Sequence, residues 1–128
     1  MGFSLFGRKK HARKHGKKKP AAVSKKDRLV RDKTPKLIKK KGMKPVTRTA
    51  TKDELISALK EKILAEASEL RKATTQDQEL EEIIDIMEAI NTYMKQREIS
   101  VQNVERMRKY KLRKHGGFSK AVILEGVE

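Results

Sequence analysis

Two pairs of acids stand at matched spacing in ILAEASELRKATTQDQELEEIIDIMEAI, residues 63–90: Glu66 with Glu69, then Glu82 with Asp85. On a helix, residues three apart occupy neighbouring positions of one face, so each pair presents two carboxylates toward one place. If the two helices run antiparallel, all four carboxylates converge. Gathering them in a half-buried place is costly, because their pKa values rise or the helices separate unless cations intervene. A divalent cation resolves that conflict. The chain has no Cys, and no His falls in the acidic stretch, so the donor set favours a hard, oxygen-seeking ion, Mg²⁺ or Mn²⁺ before Zn²⁺. Such an ion serves phosphate chemistry by bridging phosphate oxygens and activating an attacking water. The competing reading is a solvated acidic face on an ordinary helical hairpin. The motif's recurrence on consecutive helices, and the position of Glu66 inside an apolar arc, weigh for the metal.

The elements that position these acids are legible from caps and periodicity. Thr51-Lys-Asp-Glu54 has the form of a capping box, which predicts a helix start. Leu55, Ile56, Leu59, Ile63 and Leu70 then share one arc, so residues 52–72 read as an amphipathic helix with Glu66 in the arc and Glu69 at its edge. The polar cluster at 73–77 is a short connection. A second helix is expected from about Gln78 to Arg97, with Leu80, Ile83, Ile84, Met87, Ile90 and Met94 on one side and Ile86, Ala89 and Tyr93 forming another apolar strip. That helix is expected to be covered from two directions.

Before the hairpin, DRLVRDKTPKLIKKKGMKP, residues 27–45, offers one or two helical turns before Gly42 and Pro45 break it. After it, Ser100 can cap a third long helix whose Val101, Val104, Met107 and Leu112 are expected to face inward and which His115-Gly116-Gly117 ends. AVIL, residues 121–124, could form one β-strand. The expected class is therefore all-α, a helical bundle spanning residues 27–128 behind a basic tail. Apolar surface on several sides of the two long helices points to a homo-oligomer that completes the core.

Charge is placed unevenly along the 128 residues. The net charge is +16, yet residues 53–105 carry thirteen acids against six Lys or Arg. Residues 1–26 hold ten Lys or Arg and no acid, and they lack the apolar content that would offset the entropy of ordering. They are expected to be a disordered tail whose Arg8, Lys9, Lys10, Arg13, Lys14, Lys17, Lys18 and Lys19 attract nucleic acid without sequence preference, through counterion release. No apolar run reaches the roughly 20 residues of a membrane span, and the N-terminal charges follow the short apolar piece rather than precede it, so no secretory signal is read. A cytoplasmic protein is expected.

Four ordered motifs together carry a resemblance. Leu29-Val-Arg-Asp-Lys33-Thr-Pro35, Glu66-x-x-Glu69, Glu82-x-x-Asp85 after twelve intervening residues, and Arg113-Lys-His-Gly-Gly-Phe118 resemble the MazG-like, all-α nucleoside triphosphate pyrophosphohydrolases, in particular the house-cleaning branch related to phosphoribosyl-ATP pyrophosphohydrolase. Glu88 also matches a carboxylate common in that branch. The resemblance implies that Glu66, Glu69, Glu82 and Asp85 hold Mg²⁺ and form the catalytic site. It further implies that a nucleoside triphosphate is hydrolysed between its α and β phosphates, giving a monophosphate and pyrophosphate. Arg31, Lys33, Lys111 and Arg113 are physically suited to bind the substrate's phosphate oxygens. The chain departs from the family pattern at Ala65, where a further acid is usual, and at Ser68. That departure keeps open an alternative: a catalytically weak MazG-like scaffold, tethered to nucleic acid or a ribonucleoprotein by its tail.

Overall fold

A computed structural model describes residues 27–128, and the basic tail predicted for residues 1–26 lies outside the described residues. The described residues are all-helical, with four helices and no strand. They are α1 (Thr34–Lys40), α2 (Lys52–Lys72), α3 (Gln76–Gln96) and α4 (Val101–His115). None is long and apolar enough to cross a membrane.

The start of α2 is fixed by side chains that close on its free N–H groups. The Thr51 hydroxyl accepts from the Glu54 N–H at 3.2 Å, and the Glu54 carboxylate accepts from the Thr51 N–H at 2.9 Å. Arg48, arriving along the preceding loop, donates to both Glu54 oxygens at 3.0 and 3.1 Å. Glu54 is buried, and the guanidinium beside it, followed by the Thr51 N–H, holds its carboxyl below the usual carboxylate range. Thr51→Ala is expected to lower stability by about 1 kcal/mol, read as a lower midpoint in thermal circular dichroism. Arg48→Ala should lower the midpoint further at neutral pH, but not below the range where carboxylates ionise. A depressed folded-state pKa contributes stability only above the unfolded value and loses it as pH falls.

The α2–α3 hairpin is the body of the molecule. Residues 73–75 connect the helices, a link short enough to force them antiparallel, and their contact is the only extensive helix–helix contact among the described residues. Ala58 and Leu59 on α2 and Ala89 on α3 are its buried apolar residues; the two alanines let the backbones approach closely. On α3 it is therefore the strip containing Ala89, with half-buried Ile86 and Tyr93, that meets α2. The broader stripe of Leu80, Ile83, Ile84, Met87 and Ile90 is exposed. Among the described residues, one of the two directions expected to be covered is covered. Helix α3 also begins two residues earlier than expected, because Thr75 caps it by accepting from the Gln78 N–H at 3.2 Å.

Two further expectations are corrected. Helix α4 starts at the Ser100 cap and stops at Gly116, which takes φ 83° as a glycine readily does. Yet it buries no residue, and Val101, Val104, Met107 and Leu112 face solvent rather than inward; among the described residues no helix packs extensively on α4. Residues 121–124 form no strand and are exposed, since a lone extended segment finds no neighbour to share its ladder of hydrogen bonds.

Candidate metal centre

Three of the four acids meet. Glu66 from α2 and Glu82 and Asp85 from α3 each offer a carboxylate oxygen within 4.8 Å of the others. Glu66 is 3% exposed and Glu82 is 9% exposed, while Asp85 is half-buried. The hairpin brings them together because all three lie on the faces that α2 and α3 turn toward each other, next to the close-packed alanines. Glu69 stays outside the cluster: its side chain is 42% exposed and lies 3.7 Å from Lys72 on its own helix. The step from Glu66 to Glu69 rotates a side chain by about 60° around the axis, enough to move it to the rim.

The site is electrostatically strained. Burial, then a hydrogen bond shared with Glu66, then the charges of Glu66, Asp85 and Glu69 push the Glu82 carboxyl up to about 8. Glu82 Oε1 is buried without a hydrogen-bond partner among the described residues. An unpartnered buried carboxylate oxygen is costly to maintain, and it is the position a cation's inner shell would use. The donor set, carboxylate oxygens alone, fits a hard divalent ion. Two cations of the chain already lean on the cluster. Lys62 Nζ lies 3.0 Å from Glu66 Oε2, one turn earlier on α2, and Arg31 Nη2 donates to Asp85 Oδ1 at 2.7 Å across 54 residues of sequence.

A cavity of about 300 Å³ opens beside these acids, lined on one wall by Arg28–Asp32 and on the others by residues of α2 and α3 that include Leu59, Lys62, Glu66, Asp85 and Glu88. Of the four cations expected to bind phosphate, Arg31 lines it. Lys33 is the exposed N-cap residue of α1, and Lys111 and Arg113 are exposed on α4; none of these three is among the lining residues. Lys62 is the participant that the sequence reading missed. Its signal was local: Lys62 and Glu66 are four apart, a spacing that pairs charges along a helix.

Comparison with protein-family models, curated proteins and solved structures yields no match.

Proposed function

We propose that the chain is a Mg²⁺- or Mn²⁺-dependent nucleoside triphosphate pyrophosphohydrolase that cleaves the α–β phosphate bond, in the manner of MazG-like house-cleaning enzymes acting on non-standard nucleotides. The observation that carries this reading is the meeting of Glu66, Glu82 and Asp85 within 4.8 Å, from two helices, beside an open cavity. The motif resemblance also supports it, through Leu29–Pro35 and Arg113–Phe118 as well as the acids themselves.

In this reading Glu66, Glu82 and Asp85 hold the ion, with Glu69 at the rim. When bound, Mg²⁺ offsets the phosphate charge and makes a coordinated water more acidic. The protein's own groups supply the rest. Arg31 uses one guanidinium hydrogen bond on Asp85 and is half exposed, so its remaining donors can take a phosphate oxygen in the forked geometry that suits phosphate. Lys62, 26% exposed, can swing from Glu66 toward the same oxygens. Leu55 and Leu59 give the cavity part of its apolar lining. Water adds to the α phosphorus, the bridging P–O bond to the β phosphate breaks, and pyrophosphate departs with that oxygen, leaving the nucleoside monophosphate.

A product assay tests this. Incubated with a panel of nucleoside triphosphates and Mg²⁺ or Mn²⁺, the protein should release pyrophosphate and no orthophosphate when no pyrophosphatase is added. Ca²⁺, larger and looser in coordination, should support little turnover, because in-line attack needs tighter placement. A panel that gives no pyrophosphate under any of these ions overturns the reading.

One observation favours a second reading. Lys62 and Arg31 already neutralise two of the acids, and Glu69 stands apart, an arrangement that a non-catalytic scaffold would also hold. Its basic tail would then supply the function by binding nucleic acid or a ribonucleoprotein.

A further inference from the structure

The acidic cluster already carries the chain's own cations. Lys62 Nζ stands 3.0 Å from Glu66 Oε2, and Arg31 Nη2 stands 2.7 Å from Asp85 Oδ1. Both acids belong to the group of three whose oxygens lie within 4.8 Å of one another, and both cations line the cavity beside them. A divalent ion and these two side chains therefore seek the same carboxylates. Three ionised carboxylates less two cations leave a charge of −1, which an ion of charge +2 would turn positive. Like charges crowded into a half-buried place repel, so the ion alone is poorly received.

The two cations are held differently. Lys62 projects from α2 one turn before Glu66, is 26% exposed and can turn toward water. Arg31 belongs to the Arg28–Asp32 wall of the cavity, which is anchored behind it by buried Thr34, whose N–H donates to the Arg31 carbonyl at 3.0 Å. Its guanidinium ties that wall to α3. A polyphosphate changes the balance, because its oxygens accept charge-assisted hydrogen bonds from a guanidinium or an ammonium and give both displaced cations a new partner in the same cavity. We infer that Lys62 and Arg31 are resident counter-cations which a divalent ion and a polyphosphate displace together, so that each ligand binds weakly alone and strengthens the other. The site then takes the metal chelate of a polyphosphate as one unit. This rests on the metal site proposed above and adds to it a coupling between its two ligands, which by linkage is equal in both directions.

The test begins with Mn²⁺ alone and the full chain, the free ion being counted by electron paramagnetic resonance. Lys62→Met and Arg31→Met each remove a competitor and should tighten Mn²⁺ binding about tenfold, and the double variant about 100-fold. In the same variants the Mn²⁺-dependent part of inorganic triphosphate binding, read by equilibrium dialysis so that the basic tail's share is subtracted, should weaken. Loss of structure would lower both affinities, whereas loss of a counter-cation moves them in opposite directions. The Arg31 side chain is 50% exposed, so Arg31→Met keeps the fold if the more buried Lys62→Met does not. Lys62→Arg, which keeps the charge and can grip Glu66 with two donors, should weaken Mn²⁺ binding. Mn²⁺ affinity that is unchanged or weaker in both Met variants overturns the proposal and leaves the metal site standing. Absence of Mn²⁺ binding from the unaltered chain and every variant alike overturns the metal site, and the proposal with it.

Discussion

Glu66→Ala and Asp85→Asn are each expected to cut pyrophosphate release by about 10²–10³-fold or more, the scale on which removal of one preorganised charge-stabilising group acts. The helical fold should be kept. Each substitution takes one oxygen donor from the group of three within 4.8 Å and lowers the crowding of negative charge around it. Glu66→Ala frees Lys62, whose partly exposed ammonium turns to water rather than staying buried and unpaired. Asp85→Asn keeps an acceptor for Arg31. Stability without metal should therefore hold or rise by about 1 kcal/mol, since relief of like-charge repulsion outweighs ion pairs that are already partly solvated. Glu69→Gln, at the rim, should lose about 10–100-fold, less than either of these. Steady-state rates combined with thermal melts separate these outcomes. Unfolding of both variants would show that the acids are structural partners of Lys62 and Arg31 and nothing more.

Without divalent ions, stability is expected to fall as pH rises from about 4.5 toward 8, by up to a few kcal/mol. Glu82 is the cause. Its carboxyl sits at about 8 in the folded chain against 4.5 for the free side chain, so across that window the native state holds a proton that the unfolded state has released. Stability from a raised carboxyl is complete below the unfolded value and is lost as pH climbs through the folded one. Glu54 acts in the opposite sense at lower pH, because its depressed carboxyl loses its contribution on acidification. The metal-free protein should be most stable near pH 5, and Glu82→Gln should flatten the alkaline limb. Added Mg²⁺ should also raise that limb, because the cation competes with the Glu82 proton and binds more tightly as pH rises toward 8. Urea titrations from pH 5 to 9, with chelator or with Mg²⁺, measure the slope. A limb that stays flat in chelator removes Glu82 from the account.

Local signals carried most of the fold. Thr51 and Glu54 announced the start of α2, and Ser100 and Gly116 bracketed α4, because caps are chosen by side chains that bond the adjacent backbone. Thr75 did the same for α3, where the polar cluster around it disguised the cap as connection. What periodicity does not encode is the partner. It marked both apolar strips of α3 but not which of them meets α2, which is the strip that holds the buried Ala89. It marked Val101, Val104, Met107 and Leu112 as one side of α4 without saying that no described helix would cover them. The convergence of Glu66, Glu82 and Asp85 followed from spacing plus a short connection. The position of Glu69 did not, since three residues along a helix is near one face without being on it. Arg31 reaches Asp85 across 54 residues, and no local pattern joins that pair.

The three-residue connection between α2 and α3 also governs the order in which the molecule acquires its site. Contacts between helices so close in sequence involve little loop closure, and chains dominated by such contacts fold in roughly microseconds to milliseconds. Docking of the hairpin is also what brings Glu66, Glu82 and Asp85 into one cluster, so their mutual repulsion is met as the helices close and not afterward. Refolding is therefore expected to be faster where Glu82 is protonated than where it is ionised, and stopped-flow refolding rates from pH 6 to 9 in chelator check it.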